Sequence, residues 1–476
     1  MTEYTHTING KPVTSSKTLD VINPATQQKI AEVPSATQEQ LDEAVAAARA
    51  ALPGWSAKPV DERAEVLTQI AALIDKNFEE YQQMLTTEQG KPLSGSDFEV
   101  RFASNWIRQT ASLRLPENIT VDNEDQKIIQ RYVPIGVCAG IIPWNFPLLL
   151  CILKLGPALL AGNTIVLKPS PFTPLTTLRF IKEIQHLVPP GVVNVLSGDD
   201  NLGPWITTHP GIDKISFTGS SFTGQKVMQS ASVGLKRVTL ELGGNHPLIL
   251  LPDVDLKTVL PGIFWGAFWN NGQACVAAKR IYVHEKIYDE FRDALVEFGK
   301  TVKVGNGLQP DTQLGPIQNI LQYKKVVSFF EDAHANGYKF VLGGDINPNP
   351  TDGLFVPISI VDNPPDDSKI VREEPFGPIV PLLKWSDEKD VIKRANNTNL
   401  GLAASVWGED LETVERIAKQ IQVGTVCMNE FIPFGPLNSY GGHKESGLGV
   451  EGVIPGLTAY TNLQSLTLRK KPAVKV

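Results

Sequence analysis

The sequence contains few of the features that secreted or membrane-bound proteins depend on. It has 4 cysteines in 476 residues, without CxxC spacing, which argues against a disulfide framework and favours a reducing compartment. The most apolar stretch, Ile141–Leu155, is interrupted by prolines, an asparagine and a lysine, so no run is long enough to span a bilayer. The segment Met1–Gly10 also lacks the apolar core of a secretory signal. We therefore expect a cytoplasmic protein without a membrane partner.

The chain also lacks an excess of basic residues. Lys and Arg total 44 against 51 Asp and Glu, which gives a formal net charge of -7. Because nucleic-acid binding requires a basic face that neutralises phosphates, we expect no nucleic-acid partner. A hydrophobic content of 42% is ordinary for a globular protein, and the length allows roughly three domain-sized units.

Several common catalytic signatures are missing as well. There is no G-x-G-x-x-G fingerprint, no G-x-S-x-G nucleophile elbow, and no His-x-x-x-His pair among the 7 histidines. The segment Gly219–Gly224 resembles a phosphate-binding P-loop, but Val227 stands where that loop needs a metal-binding hydroxyl. These absences disfavour a simple dinucleotide-fold enzyme, a serine hydrolase, a zinc enzyme and a nucleotide triphosphatase, and no metal site is predicted.

The hydrophobic pattern predicts that the first part of the chain is mostly helical. Thr37 and Gln40 have the spacing of a capping box, which marks the start of a helix. Periodicity then predicts three helices and two strands that form a protruding ribbon. The helices are Leu41–Leu52, Asp61 to about Glu88, and a region near Asp97–Leu113, and the strands are Lys127–Tyr132 and Ile135–Ile142.

Helices and strands alternate with short connections between Leu148 and Leu242. Such alternation predicts a parallel sheet covered by helices, with ligands at the carboxyl ends of the strands. A second α/β series runs from about Leu248 to Gly442, and Leu463–Arg469 alternates with period two, so it should pair with Lys127–Tyr132 or with a neighbouring subunit. The predicted strands of the first series are Thr164–Leu167, Val192–Leu196, Lys214–Phe217 and Arg237–Glu241.

One cysteine differs from the others in its surroundings. Cys275 ends the polar, glycine-containing segment Asn270–Cys275, which follows a predicted apolar helix at Leu260–Trp269, whereas the other three cysteines lie in apolar runs. A thiol in such a turn suits a nucleophile. Since the usual thiol pKa is roughly 8.5, cations, a helix N-terminus or a base must assist it.

Two further polar residues are candidates for acid–base and electrostatic work. Glu241 ends an apolar strand and precedes two glycines, which suits a general base, although a salt-bridged surface glutamate is the alternative. Asn145 lies between two prolines and two aromatic residues in Pro143–Pro147. That setting suits a rigid oxyanion donor, and an Asx-type turn residue is the alternative.

Two segments at predicted strand ends suit a phosphate or a ribose. Lys168 and Ser170 follow the strand Thr164–Leu167. Gly219 and Ser220 end another strand and open a helix, where backbone N–H groups can bind a diphosphate.

Together these motifs resemble the aldehyde dehydrogenase superfamily in their order and spacing. The resemblance covers almost the whole chain, and it is more specific than any single motif. The matching segments are Pro143–Pro147, Lys168–Ser170, Phe217–Ser220, Glu241–Gly244, Asn270–Cys275, Glu374–Pro378 and Tyr440–Gly442.

The resemblance implies an α/β fold with three parts. These are a dinucleotide-binding parallel-sheet domain (residues 1–114 and 135–242), an α/β catalytic domain (243–443) and a small β oligomerisation arm (115–134 and 459–476). The predicted ribbon and the C-terminal strand in turn favour a homodimer or a homotetramer.

The resemblance further implies the NAD(P)-dependent oxidation of an aldehyde to a carboxylic acid through a thioester, in the hydrolytic and not the CoA-acylating manner. Cys275 would be the nucleophile. Asn145 and the main-chain N–H of Cys275 would hold the oxyanion, and Glu241 would activate water. Lys154 and Glu451 would belong to a proton relay.

The resemblance assigns ten residues to the cofactor. Glu374 would contact the nicotinamide ribose, Phe376 would pack near the ring, and Lys168 and Ser220 would contact the adenosine ribose and the diphosphate. Pro171 departs from the glutamate that many NAD-preferring relatives carry there, so NAD(P)+ is expected without a choice between the two forms. The full set is Ile142, Pro143, Trp144, Lys168, Ser170, Gly219, Ser220, Leu242, Glu374 and Phe376.

The resemblance also implies an apolar substrate tunnel, which favours an aliphatic or aromatic aldehyde. Arg101 and Arg108 are candidates for binding a dicarboxylic semialdehyde, and Asp97 for binding an amino-aldehyde. A thiol esterase that uses only Cys275 and Glu241, and a non-catalytic binding protein on the same scaffold, are the alternatives from other classes. The expected tunnel residues, which could instead be plain core, are Phe146, Leu150, Leu153, Trp106, Phe431 and Tyr440.

Overall fold

The computed structural model describes residues 4–431 and 435–470. Its first part has short strands followed by four helices. The capping box is confirmed: Thr37 accepts a hydrogen bond from the Gln40 N–H, and the Gln40 side chain accepts one from Thr37. The elements are β1 (His6–Ile8), β2 (Lys11–Val13), β3 (Thr18–Ile22), β4 (Lys29–Pro34), α1 (Gln38–Ser56), α2 (Val60–Lys76), α3 (Phe78–Gln89) and α4 (Leu93–Ser112).

The prediction of a single helix from Asp61 to about Glu88 is wrong, because the helix is interrupted at Asn77. This residue leaves helical geometry, with φ of -100° and ψ of 21°. Its side-chain amide donates a hydrogen bond to Glu183 Oε2 at 2.9 Å. A contact with a residue so distant in sequence leaves no trace in a local periodicity.

The ribbon prediction is only half right. Strand β5 (Asn118–Asp122) pairs with β6 (Gln126–Pro134) outside the main sheets. The second predicted strand, Ile135–Ile142, contains β7 (Val137–Ile141), which lies inside the large sheet instead of the ribbon. All five residues of β7 are buried, and a strand without a solvent face belongs in a covered parallel sheet.

The first large sheet confirms the predicted alternation of strands and helices. Its strand order is β2-β1-β9-β8-β7-β10-β11-β21. Ile165 and Val166 on β8 belong to separate hydrophobic clusters, because successive side chains point to opposite faces of a strand. The elements are β7, α5 (Pro147–Leu160), β8 (Thr164–Lys168), α6 (Leu175–Ile184), β9 (Val193–Val195), α7 (Leu202–Thr208), β10 (Lys214–Thr218), α8 (Ser221–Ala231) and β11 (Arg237–Glu241).

The second large sheet has the order β14-β15-β16-β13-β12-β18-β19. Its apolar helix α9 contains most of the predicted helix Leu260–Trp269 and leads to the segment that carries Cys275. The elements are β12 (His246–Leu250), α9 (Leu256–Phe268), β13 (Ala278–His284), α10 (Tyr288–Lys300), α11 (Ile320–Ala335), β14 (Phe340–Leu342), β15 (Ser359–Asp362), α12 (Lys369–Arg372), β16 (Ile379–Trp385), α13 (Glu388–Asn396), β17 (Leu400–Gly401), β18 (Ala403–Trp407), α14 (Leu411–Ala418) and β19 (Thr425–Met428).

The last elements return to earlier parts of the chain. They are β20 (His443–Lys444), β21 (Gly447–Leu448), α15 (Val453–Thr458) and β22 (Thr461–Arg469). Strand β21 pairs with β11, and β22 pairs with β6 in the register Leu463 to Tyr132, as the alternating pattern predicted. Among the described residues, no helix has the length and apolarity needed to cross a membrane.

Candidate active site

The candidate active site lies where parallel strands of the first sheet end. Ile141 on β7 pairs with Lys168 on β8, and Thr218 on β10 pairs with Glu241 on β11, while β7 and β10 are also neighbours. The polar segments that follow these strands therefore lie side by side along one edge. The second sheet contributes the turn that carries Cys275, just before β13 begins.

The Cys275 turn has a backbone that few residue types can adopt. Asn270, Asn271 and Gly272 have φ of +50°, +57° and +67°, in the left-handed region that asparagine and glycine tolerate best. A Cβ at Gly272 would lie 2.4 Å from the carbonyl oxygen of Gly377. The turn therefore requires this sequence, and it leaves Cys275 partly exposed.

Cys275 lines a cavity of about 50 Å³ together with several predicted catalytic residues. The cavity is mainly apolar, and its polar wall includes the side chains of Asn145 and Glu241. The other described lining residues are Phe98, Phe146, Leu149, Leu150, Thr218, Trp269, Ala274, Val276, Tyr440 and Glu451. Thiol, amide and carboxylate thus share one small, enclosed space.

The Cys275 thiol lies next to a tyrosine hydroxyl. Its Sγ atom is 3.2 Å from Tyr440 Oη. Burial raises the pKa of the thiol to about 11, the Tyr440 hydrogen bond lowers it, the charges of Glu374 and Glu241 raise it, and Lys279 lowers it. At neutral pH the thiol is therefore protonated, and a nucleophilic role requires a base.

The Glu241 carboxylate is the nearest candidate for that base. The side chain is 3% exposed, and within the described part of the chain neither oxygen has a hydrogen-bond partner. Burial raises the pKa of Glu241 well above its usual value, Glu451 raises it further and Lys154 lowers it. A carboxylate in this state is a stronger base than usual, and such perturbed groups concentrate at functional sites.

Lys154 and Glu451 form a buried ion pair at the inner end of the cavity. Lys154 Nζ is 3.2 Å from Glu451 Oε1 and also donates to Thr218 Oγ1 at 2.8 Å. Ser216 Oγ donates to the same Glu451 oxygen at 3.2 Å. The backbone of Glu451 pairs with that of Tyr440, so this network is tied directly to the neighbour of the thiol.

Asn145 bridges to the Cys275 turn. Its Nδ2 donates to the main-chain oxygen of Gln273 at 3.0 Å. Its own main-chain oxygen accepts from Lys91 Nζ at 2.9 Å, and Lys91 forms a buried ion pair with Glu99. The amide is therefore fixed by contacts from distant segments rather than by a local turn alone.

Glu374 and Phe376 belong to the segment Glu374–Pro378, which contacts both the Cys275 turn and the Glu241–Gly244 segment. Glu374 Oε1 accepts a hydrogen bond from the Gly244 N–H at 3.2 Å, and a Cβ at Gly243 would lie 2.7 Å from Glu374 Oε2. Phe376 has a left-handed φ of +52°, and its ring meets the ring of Trp144 edge-on at 5.4 Å. Glu374 therefore lies against the Glu241–Gly244 segment, and Phe376 lies against Trp144.

Helix α8 presents its N-terminus beside a surface cleft of about 360 Å³. Ser220 caps this helix by accepting a hydrogen bond from the Thr223 N–H at 3.2 Å. The Gly219 N–H donates to the Glu241 main-chain oxygen at 3.0 Å. A helix N-terminus facing a cleft suits a diphosphate, and the cleft is lined in part by Ser220, Ser221, Gly243, Lys325, Arg372 and Glu374.

Lys168 is a buried cation at the end of β8. Within the described residues no carboxylate lies within ion-pair distance, and its Nζ donates to the neighbouring Pro169 oxygen at 3.4 Å. Burial lowers the pKa of Lys168 to about 8, while the charges of Asp200 and Asp199 raise it. Ser170 is also buried. A cation with spare donors and a nearby hydroxyl fits a ribose or a phosphate.

The remaining predicted cofactor residues lie along the same edge. The Ile142 N–H donates to the Lys168 main-chain oxygen at 2.9 Å, and the Leu242 N–H donates to Ser446 at 2.9 Å. Pro143 is half-buried between Ile142 and Trp144.

The structure places three of the six expected tunnel residues in the cavity wall and the other three elsewhere. Phe146, Leu150 and Tyr440 line the cavity. Leu153 and Trp106, by contrast, are 1% and 3% exposed within the core. Phe431 packs against helix α9, where a Cβ at Gly266 would lie 2.9 Å from it. These three are not among the described residues that line the cavity.

Two aromatic residues of the cavity wall escaped the sequence analysis. The ring of Trp269 stacks on Phe146 at 4.9 Å and meets Phe98 edge-on at 5.1 Å. A sequence pattern for Phe98 existed, since Phe98, Phe102 and Trp106 recur every four residues on one helix face. Trp269 was visible only as the end of an apolar helix.

The chain is similar to known proteins in both sequence and fold. The sequence model of the aldehyde dehydrogenase family matches residues 12–466. Aldehyde dehydrogenase LUC3 of a Fusarium species is 39% identical over 469 residues, which cover 98% of this chain and 99% of that protein. Betaine aldehyde dehydrogenase of Bacillus subtilis is 37% identical over 464 residues, which cover 95% and 94%. The NAD+ complex of an aldehyde dehydrogenase from Bacillus cereus superimposes with a TM-score of 0.96 at 36% identity, covering 99% of this chain and 97% of that one. This chain belongs to the aldehyde dehydrogenase family.

Proposed function

We propose that this chain oxidises apolar aldehydes to carboxylic acids with NAD(P)+ and uses Cys275 as its nucleophile. One observation carries the proposal: a partly exposed thiol and a buried, unpaired carboxylate line the same cavity, with an amide donor in its wall. Buried polar groups without partners are costly, so an unpaired carboxylate beside a thiol indicates a chemical role. The overall reaction consumes aldehyde, oxidised cofactor and water, and yields acid, reduced cofactor and a proton.

In the first stage Glu241 takes the proton of the Cys275 thiol, directly or through water. The sulfur then bonds to the aldehyde carbon, and the carbonyl π electrons move to the oxygen. The Asn145 amide and the Cys275 main-chain N–H stabilise that oxyanion. As the carbonyl re-forms, the aldehyde hydrogen leaves with its electron pair, and a thioester on Cys275 remains.

In the second stage Glu241, having released its first proton, removes a proton from a water molecule. The resulting hydroxide bonds to the thioester carbon, the C–S bond breaks, and its electron pair returns to the Cys275 sulfur. Glu451 and Lys154 are our candidates for carrying the proton away from Glu241, because both shift its pKa and they are linked to each other. A water molecule would have to bridge them to Glu241, whose oxygens have no hydrogen-bond partner among the described residues.

When bound, the nicotinamide supplies the hydride acceptor. The residues present fit such a cofactor: Ser220 lies at a helix N-terminus beside a cleft, and Glu374 and Phe376 lie near the Cys275 turn. The related Bacillus cereus enzyme is named as an NAD+ complex. Lys168 is a candidate contact for either ribose hydroxyls or a 2′-phosphate, so we propose NAD(P)+ and leave the preference to assay.

The cavity wall supports an apolar substrate. Its described lining contains no lysine or arginine, which a dicarboxylic semialdehyde would need. Arg101 instead pairs with Asp97, and Arg108 pairs with Asp75, each at the protein surface. An aliphatic or aromatic aldehyde is therefore our first candidate.

A quaternary amino-aldehyde is the second candidate. Four aromatic residues line the cavity, namely Phe98, Phe146, Trp269 and Tyr440, and aromatic faces attract quaternary ammonium groups. One relative is named as a betaine aldehyde dehydrogenase.

We also propose a homodimer or a homotetramer that forms through residues 115–134 and 459–470, while residues 471–476 of the expected arm lie outside the described part. Strand β22 is an edge strand among the described residues, and Leu463 and Leu468 on it are 59% and 60% exposed. Edge strands with exposed apolar side chains favour pairing with another chain. A cytoplasmic location and a division into cofactor domain (1–114, 135–242) and catalytic domain (243–443) complete the proposal.

The test is an assay of reduced-cofactor formation with NAD+ and NADP+ against hexanal, benzaldehyde, betaine aldehyde and glutarate semialdehyde. Cys275→Ala should abolish turnover. Cys427→Ala is the matched control, because that thiol is also partly exposed but does not line the cavity. Wild-type activity in the Cys275→Ala variant would refute the mechanism.

The same assay separates the alternatives from other classes. A thiol esterase would cleave p-nitrophenyl acetate faster than it oxidises any aldehyde, and would not need the cofactor. A non-catalytic binding protein would bind the cofactor without turnover of any aldehyde in the panel.

A further inference from the structure

A buried lysine at the start of β13 touches the Cys275 turn. Lys279 is fully buried, and its Nζ donates hydrogen bonds to the main-chain oxygens of Gly272 and Ala274, at 2.8 and 2.9 Å. Both carbonyls belong to the segment that leads into Cys275. The side chain therefore ties the strand to the turn that presents the nucleophile.

The charge on Lys279 has no carboxylate partner within ion-pair distance in the described parts of the chain. Its Nζ lies 5.6 Å from the centre of the Phe376 ring. Burial lowers the pKa of Lys279 to about 8, Glu374 and Cys275 raise it, and Lys325 lowers it. An unpaired buried ammonium is unfavourable. We therefore expect a negative charge to form near Lys279 during the reaction.

We propose that Lys279 is a positioning residue whose charge stabilises the Cys275 thiolate and whose hydrogen bonds fix the nucleophile's turn. The inference rests on the proposed role of Cys275. It concerns a residue to which the sequence pattern gave no role.

The charges around the thiol divide into two groups. Glu374 and Glu241 disfavour the thiolate, whereas the Tyr440 hydroxyl and Lys279 favour it. Lys279 is the cationic member of the second group. A nearby opposite charge favours the charged form of a group. Lys279 is the smallest of the influences on the Cys275 pKa, so loss of its charge should lower the thiolate fraction.

The titration of Lys279 should also affect how the reactivity of the Cys275 thiol depends on pH. Below its own pKa of about 8, each pH unit raises the thiolate fraction tenfold. Above it, Lys279 loses its proton, and the thiolate loses the charge that stabilised it. The rise of thiol reactivity with pH should therefore flatten above about pH 8, and it should resume once the pH exceeds the pKa of Lys279 by the amount that the lysine charge lowers the pKa of the thiol.

The experiment measures the rate at which iodoacetamide alkylates Cys275 in cofactor-free protein between pH 6 and pH 10, with mass spectrometry to identify the labelled cysteine. At pH 7, Lys279→Met and Lys279→Gln should react more slowly than wild type, and their rates should rise with pH without flattening. The Lys279→Gln variant separates the two proposed roles, because the glutamine amide keeps two N–H donors for the two carbonyls but carries no charge. Lys279→Arg should react at nearly the wild-type rate at pH 7, and its rate should not flatten, because arginine keeps its proton.

Lys214→Met is the matched control. Lys214 is equally buried, and burial also lowers its pKa to about 8, but it bonds to Thr239 and is not among the charges that shift the pKa of the Cys275 thiol. Its loss should leave alkylation unchanged.

A wild-type rate in Lys279→Gln would overturn the electrostatic role and leave only hydrogen bonding to the turn. Should both neutral variants fail to fold, wild type and Lys279→Arg still decide the question, because flattening in both or in neither contradicts the proposal. Failure of the dehydrogenase assay would be a separate result, since alkylation requires neither cofactor nor aldehyde.

Discussion

Replacement of Glu241 by glutamine should stabilise the protein and slow its turnover at the same time. The carboxylate is buried beside the thiol, and in the described structure neither oxygen accepts a hydrogen bond. Glutamine has the same shape, but it carries no charge and cannot act as a base. The substitution therefore removes an unfavourable buried charge together with the proposed acceptor of the water proton.

The effect on stability should grow with pH. Burial and the neighbouring Glu451 raise the pKa of Glu241, so the folded protein keeps this proton at pH values where the unfolded chain has released it. Wild-type stability then falls as pH rises from the unfolded to the folded pKa, by about 1.4 kcal/mol per pH unit while the group titrates. Glutamine does not titrate, so the variant should gain on wild type throughout that window.

The effect on catalysis should reach both stages, because Glu241 accepts the thiol proton in the first and the water proton in the second. Loss of a general base typically costs about 10²–10⁴-fold, so kcat should fall by that factor. Rapid mixing separates the two contributions, because a burst of reduced cofactor before slow turnover appears only if thioester hydrolysis is slowed more than thioester formation.

Glu88→Gln is the matched control for this experiment. Burial raises the pKa of Glu88 to about 7, but its carboxylate accepts hydrogen bonds from the Leu175 and Thr176 N–H groups instead of lining the cavity. This variant should alter the pH dependence of thermal unfolding without producing a burst. Wild-type kcat in Glu241→Gln, or a stability difference that does not grow with pH, would contradict the reasoning.

Three further predictions concern the oxyanion donor, the buried ion pair and the cofactor preference. Asn145→Ala should lower kcat/KM by about 10²–10³-fold, or ~2.7–4 kcal/mol; a loss seen only in KM would exclude an oxyanion role. Lys91→Met leaves the Glu99 charge buried without its cation, so the free energy of unfolding measured by chemical denaturation should fall by about 3–5 kcal/mol. Arg101→Met breaks an exposed pair and should lower it by at most ~1 kcal/mol. Equal losses in the two variants would contradict the claim that burial makes the Lys91–Glu99 pair matter more. Pro171→Glu should reduce kcat/KM for NADP+ relative to NAD+ by at least about tenfold through like-charge repulsion; an unchanged ratio would place the adenosine ribose elsewhere.

The strands and helices of the first sheet could be predicted because burial alone determines their sequence pattern. Buried parallel strands such as β8 are continuous apolar runs, and turn residues separate them from amphipathic helices. The break at Asn77 and the burial of β7 could not be predicted in this way. Both depend on which distant segments pack against them, and a local window contains no information about those partners.

The chemical groups of the site were predictable by residue type, but their surroundings were not. Cys275, Glu241 and Asn145 stand out because a thiol, a carboxylate and an amide occupy unusual local settings. Their pKa values, by contrast, depend on contacts made through the fold, such as that between Tyr440 and the thiol. Lys279 had no local pattern at all, because a lysine in a strand normally reaches solvent.

Unpaired charges identify this site more directly than its motifs do. Lys168, Glu241 and Lys279 are all buried, and among the described residues none of them has an ion-pair partner. Other buried charges are either paired, as Lys91 is with Glu99, or hydrogen-bonded, as Glu88 is to the N–H groups of Leu175 and Thr176. The Glu241 carboxylate has neither an ion pair nor a hydrogen bond among the described residues, which distinguishes it from buried charges that serve the fold alone. Substitutions that neutralise the unpaired groups should therefore raise stability and lower activity together, which is the trade-off expected where an environment is set for chemistry.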